Sequence, residues 1–244
     1  MQKTSTHEEV ARAYTRAVSE PSTGCCGGGA PEQKGVVVKS AGYATDELAT
    51  LPEDAVVNSF GCGNPLAFSE VTEGQVVLDL GSGAGIDLLL AARKVGPSGK
   101  VIGIDMTDAM IERAWQNIER AGVSNVEVRK GLIEAMPVDD ASVDWVISNC
   151  VINLSPDKPA VFREIARVLK PGGRMRVSDI LVEEMPDIVR NDSALRCSCV
   201  AGAVSESEYL AGLRAAGLEN VEIAGRLVYD GDQLEAFVKS ELPT

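Results

Sequence analysis

Between Gln75 and Ser178 the chain repeats one pattern: a short apolar run, a helical stretch, then another apolar run. The strand candidates are Val76–Leu80, Val101–Asp105, Val126–Lys130, Val143–Ser148 and Arg174–Ser178. Helical periodicity fills the gaps at about 85–95, 108–121 and 158–169. Apolar strands that alternate with helices require a parallel sheet whose two faces are both covered. The expectation is an α/β fold, a mostly parallel twisted sheet with helices on both faces. Leu169-Lys170-Pro171-Gly172-Gly173 is expected to stop the third helix and turn into the last strand.

The flanks are less regular. Thr6–Val18 reads as an amphipathic helix, with Val10, Tyr14 and Val18 at fourfold spacing and Ser5 or Thr6 able to cap it. A glycine-rich loop follows, carrying the adjacent thiols Cys25 and Cys26. A second helical stretch at about 45–60 leads into Gly61-Cys62-Gly63. Past Glu183 the pattern predicts helical pieces around Ile188–Ala203 and Glu206–Ala216, a strand at Val221–Val228 and a closing helix at Gln233–Lys239. The expected organisation is an N-terminal helical arm with its Cys/Gly-rich loop (1–55), a cofactor-binding core (56–182), and a C-terminal helical and strand elaboration covering the substrate (183–244).

Composition narrows the function. The chain has 244 residues, enough for one large domain with a real core. A net charge of −13 repels phosphate backbones and anionic lipid, and 4% aromatic residues leave little for base stacking, so neither nucleic acid nor membrane is an expected partner. No run reaches the roughly 18 to 20 apolar residues of a membrane span, and the polar start lacks the apolar centre of a secretion signal. Six cysteines in such a chain suggest a reducing, cytoplasmic setting. The single histidine, His7, is expected to be a surface polar residue, and without a second one triad hydrolysis and histidine-rich metal sites are excluded. Asp139, Asp140, Glu183 and Glu184 read as a solvated face.

The turn Asp79-Leu80-Gly81-Ser82-Gly83-Ala84-Gly85 leaves the first strand and opens a helix. Asp105 ends the next strand, where a carboxylate can accept both hydroxyls of a ribose. A nicotinamide cofactor is the competitor, but the turn is not Gly-x-Gly-x-x-Gly, and Asp79 would sit poorly beside a pyrophosphate. S-adenosylmethionine has no phosphate and carries two cationic centres, so a carboxylate suits it. The turn together with Asp105 resembles the signature of Rossmann-like class I methyltransferases, and the Leu169–Gly173 segment matches another recurrent element. That resemblance implies a cofactor site of Asp79, Gly81, Ser82, Gly83, Gly85, Asp105, Met106, Ile133, Glu134 and Asn149, with 131–134 near the adenine.

The thiols are the other distinctive chemistry. Cys62 precedes the first core strand, Cys150 follows the fourth at the ligand-binding edge, and Cys199 lies in the helical region after the core. Three thiolates from separate elements could form a trigonal site for a soft centre. Tetrahedral zinc would want C-x2-C pairs, whereas Cys25-Cys26 and Cys197-Ser198-Cys199 are too tight. A buried cysteine can also be just a small hydrophobe.

Residues 58–65, Ser148-Asn149-Cys150-Val151-Ile152-Asn153-Leu154 and Cys199-Val200-Ala201-Gly202-Ala203, with Asp179, resemble the arsenite methyltransferases over about 40–230. The resemblance implies that Cys62, Cys150 and Cys199 bind and present trivalent arsenic, delivered as a thiol conjugate, for detoxification. It also implies that Cys25 or Cys26 joins a redox cycle with Cys62, sustained by glutathione or thioredoxin. Cys197 could compete with Cys199 for the metalloid, and the chain stops soon after Val228, where larger relatives carry a further region. Two other readings stay open: a methyltransferase for a small organic acceptor with structural thiols, and a non-catalytic metalloid sensor.

Overall fold

The computed structural model describes residues 6–19, 42–67, 69–184 and 199–228. Cys25, Cys26, Cys197, most of the expected 188–203 helical piece and the 233–239 helix lie outside them.

Among the described residues the elements run α1 (Thr6–Ser19), α2 (Thr45–Ala49), α3 (Glu53–Val57), β1 (Val76–Leu80), α4 (Ile86–Val95), β2 (Lys100–Asp105), α5 (Asp108–Ala121), β3 (Val126–Lys130), β4 (Val143–Asn149), a 3-10 turn (Ile152–Leu154), α6 (Lys158–Val168), β5 (Leu169–Ser178) and α7 (Glu206–Ala215). The strands form one parallel sheet in the order β3-β2-β1-β4-β5. The order reverses direction between β1 and β4. Such a switch point opens a crevice at the carboxyl ends of the strands.

Side chains alternate across the sheet with period two. Val77, Val101, Trp145 and Ile147 face one core, which α2, α3, α4 and α5 cover with Leu48, Ala55, Leu88, Leu89 and Ile118. Leu78, Leu80, Ile102, Ile104 and Val146 face the other, covered by α6 and α7 with Phe162, Ile165, Tyr209 and Leu213. Each fully buried leucine contributes about 1.5–3 kcal/mol. Helix α1 packs on α5, and the Arg113 guanidinium ties its end by donating to the Val18 carbonyl and to Asp54.

Three expectations need correction. The 45–60 stretch is two short helices rather than one, broken at Thr50–Pro52. The Leu169–Gly173 segment does not precede the last strand but belongs to it: Val143 pairs with Leu169 and Trp145 with Arg174, so 170–173 bulge out of the ladder. Val221–Val228 forms no strand; it is irregular, with Leu227 and Val228 exposed.

Candidate active site

A cavity opens at the switch point, walled by the carboxyl ends of β1, β2, β3 and β4 and by the N-terminal helix α1. From β1 come Asp79 and the turn Gly81–Ala84. Gly81 has φ +64°, and a Cβ there would overlap the Val151 side chain, so only glycine lets β1 and β4 close together at the crevice. From β2 come Asp105, Met106 and Thr107, from β3 Ile133 and Glu134, and from β4 Asn149, Cys150 and Val151. Gly85 stands behind the wall, at the cap of α4.

The cavity floor is acidic. Burial raises Asp79 well above the usual carboxylate range, reinforced by Asp87 and Asp105. Asp87, in the first turn of α4, is pushed by burial to about 6, partly offset by hydrogen bonds from Tyr43 and Asn149. Burial also raises Asp105, whose carboxylate accepts the Gly83 and Thr107 backbone N–H groups at 3.0 and 2.8 Å. Among the described residues no lysine or arginine pairs with any of the three. Buried carboxylates without a counter-charge are costly, so this floor is built for a cationic ligand. Ser82 Oγ, buried on the wall, has no hydrogen-bond partner either.

His7 is the partly exposed polar residue expected, and it has a partner: its Nε2 lies 2.9 Å from Glu134 Oε1, which also accepts the Ser155 hydroxyl at 2.5 Å. Val10 and Tyr14 join it on the cavity wall, and Tyr14 packs edge-on against Phe60 of the loop before Cys62. Tyr43, Asp87 and the helix α1 contacts were missed by sequence reasoning. The acidic position in the α4 first turn was a weak available signal; the partners of His7 and Tyr43, 127 and 106 residues away, left none. Asp139, Asp140, Glu183 and Glu184 are exposed, as a solvated face requires.

The three expected arsenic ligands meet around Cys150, the one of them that lines the cavity, but not as three thiolates. Cys62 and Cys150 are joined as a disulfide, with Cα atoms 5.8 Å apart. Cys150 leaves β4 in the left-handed region, φ +62°, held by its N–H donating to the Ser178 carbonyl at 2.8 Å. The Cys199 sulfur is buried against the Cys150 carbonyl. Cys62 therefore meets Cys150, while Cys25 and Cys26, expected to pair with Cys62 during turnover, lie outside the described residues. The reason that Cys62 and Cys150 meet is the sheet order, which sets the loop before β1 beside the end of β4.

A carboxylate-floored crevice at the switch point of a parallel sheet marks the class of small-molecule-binding α/β enzymes. The family model described as a methyltransferase domain matches residues 71–217. The arsenite methyltransferase of Halobacterium salinarum is 46% identical over 202 residues, covering 82% of this chain and 51% of the relative. The human arsenite methyltransferase is 38% identical over 66% of this chain and 45% of its own. The crystal structure of an arsenic(III) S-adenosylmethionine methyltransferase from Chlamydomonas reinhardtii superposes with TM-score 0.65 at 38% identity, covering 82% of this chain and 68% of that one. The chain belongs to the methyltransferase-domain family and, within it, to the arsenite S-adenosylmethionine methyltransferases. It spans about half the length of the curated relatives it matches.

Proposed function

We propose that this chain transfers a methyl group from S-adenosylmethionine to trivalent arsenic held by Cys62, Cys150 and Cys199. The observation that carries the reading is the meeting of three cysteines, from the segments before β1, after β4 and before α7, around Cys150 on the wall of a carboxylate-floored cavity.

The residues fit the cofactor. Asp79 and Asp87 supply the negative field for its ammonium and sulfonium, Asp105 keeps lone pairs for the ribose hydroxyls, and Ser82 Oγ offers an unused polar atom. When bound, the cofactor would supply a methyl activated on a sulfonium: the arsenic(III) lone pair would form the As–C bond as the C–S bond breaks, S-adenosylhomocysteine would leave as a neutral thioether, and the formally pentavalent arsenic would be reduced by external thiols, which leave as a disulfide. The three cysteines supply placement: thiolate ligation leaves that lone pair free, and alignment at about 3 to 3.5 Å gives much of the rate advantage.

The disulfide must open first. Two external thiols reduce it, yielding the Cys62 and Cys150 thiols and one external disulfide. Arsenic then exchanges from its carrier thiols onto the three cysteines, releasing three carrier thiols. Glutathione or thioredoxin has the required chemistry. Mapping of peptides from unreduced protein should recover a Cys62–Cys150 link. A Cys25–Cys62 or Cys26–Cys62 link in its place would return the redox role to the N-terminal loop.

The deciding assay incubates the full chain with S-adenosylmethionine, arsenite and glutathione and separates the arsenic species. Methylated arsenic supports the reading. Cofactor binding without methylated arsenic points to an organic acceptor, and arsenic binding without cofactor consumption points to a sensor.

Two further results are expected. Asp105→Ala should weaken cofactor binding by about 1.5–3 kcal/mol, the scale of hydrogen bonds to a charged group, and leave arsenite binding nearly unchanged. Calorimetry giving wild-type cofactor affinity would remove Asp105 from the site. His7→Ala should weaken cofactor binding by about 0.5–1.5 kcal/mol through loss of the Glu134 contact, with His7→Gln restoring part of it. Equal affinities for all three proteins would reduce α1 to a passive wall.

A further inference from the structure

Cys62 is gripped through its neighbours. A Cβ on Gly61 would overlap the Asn149 side chain, and one on Gly63 would lie 2.6 Å from the Ser178 Cβ and Oγ. The two glycines let the loop press into the ends of β4 and β5. The Asn149 side chain then holds the loop by its backbone, its Oδ1 accepting the Gly63 N–H at 3.1 Å and its Nδ2 donating to the Gly63 carbonyl at 2.6 Å. The same Nδ2 lies 3.0 Å from the Tyr43 hydroxyl and 3.3 Å from Asp87 Oδ2, while the Tyr43 hydroxyl donates to Asp87 Oδ1 at 2.8 Å. Tyr43 is buried and does not line the cavity; Asp87 does. Asp87 thus has the cofactor cavity on one side and the grip on Cys62 on the other.

We propose that Tyr43, Asp87 and Asn149 are positioning residues that couple occupancy of the cofactor cavity to the placement of Cys62 beside Cys150. The inference rests on the S-adenosylmethionine and arsenic reading above. A cation facing Asp87 fixes that carboxylate, and the hydrogen bonds it accepts fix the Tyr43 hydroxyl and the Asn149 amide. The amide in turn fixes the Gly63 backbone, and Cys62 with it. Coupling between two sites is reciprocal, so arsenic on the thiols tightens the cofactor cavity by the same factor.

The test is calorimetry on the reduced full chain. Arsenite affinity is measured alone and with saturating sinefungin, an unreactive analogue bearing an amine in place of the sulfonium. Wild type should bind arsenite about tenfold more tightly with sinefungin, within the usual range of coupling. In Tyr43→Phe that factor should drop below about twofold, while each ligand alone binds within about threefold of wild type. A merely structural role would weaken both ligands and leave the factor unchanged. If Tyr43→Phe unfolds, Asp87→Asn takes its place, since the coupling ratio is read independently of the weaker cofactor binding. A retained tenfold factor in the folded variant, or no coupling in wild type that binds both ligands, overturns the proposal. Wild type that takes sinefungin but not arsenite overturns the arsenic function itself, a distinguishable failure.

Discussion

Replacing Cys150 by serine is expected to abolish methylation of arsenite and to weaken arsenite binding by about a thousandfold, or about 4 kcal/mol at 1.4 kcal/mol per decade. A hydroxyl of similar size replaces a soft thiolate, so the loss reflects ligand chemistry rather than packing. Cys150 is the sharpest choice because it alone of the three both lines the cavity and touches the other two, as disulfide partner of Cys62 and through its carbonyl to Cys199. Cofactor binding, measured separately, should survive. Turnover near wild type would remove the thiol site from the mechanism. The companion change separates Cys199 from Cys197: X-ray absorption on the arsenite-bound protein should show one fewer sulfur neighbour in Cys199→Ser and no change in Cys197→Ser.

The second large effect is on stability. Asp179, beyond the end of β5, is pushed by burial from 3.8 to about 7, and neither the hydroxyl of Tyr209, 3.0 Å away, nor the charge of Lys158 brings it back. Its second oxygen has no hydrogen-bond partner. A carboxyl whose folded pKa is raised keeps its proton when the unfolded chain has lost it. Its contribution is therefore fully present below about pH 4 and is lost as pH rises through about 7. Three units at about 1.36 kcal/mol each make that loss on the order of 4 kcal/mol. Asp179→Asn cannot ionise and can still accept from Tyr209. Its stability relative to wild type should climb across that window, which denaturant melts at pH 4, 6 and 8 would follow. The subtraction cancels Asp79 and Asp87, which remain in both proteins. A difference that does not change with pH would mean that Asp179 is hydrated rather than buried.

Much of the fold was legible. Strands β1 and β3 and helix α5 fall on the residues that periodicity alone assigned. Their patterns are local: period two for strands and 3.6 for helices, set by backbone sterics and by which faces meet the core. The same rule failed at Val221–Val228. An alternating apolar pattern says a segment can be a strand, but a strand also needs a neighbour to accept its hydrogen bonds, and among the described residues none pairs with this one. The bulge at 170–173 failed for a related reason, since a Lys-Pro-Gly-Gly turn and a bulge inside a strand look alike until the partner strand is known.

The site divides along the same line. The kinds of group that would handle a cationic cofactor and a soft metalloid are written in the chain: Asp79, the glycine turn, Asp105 and the three cysteines. Which of them meet is not. Tyr43 reaching Asn149 and Cys62 bonding to Cys150 across 88 residues both follow from one topological fact, that β4 returns to lie beside β1, and His7 reaches Glu134 because α1 packs on α5, which packs on β3. Side-chain chemistry and local periodicity belong to the sequence because neighbours along the chain determine them. Pairings between distant segments belong to the tertiary structure because only the order of strands in the sheet and the helices packed on it bring those segments within hydrogen-bonding distance.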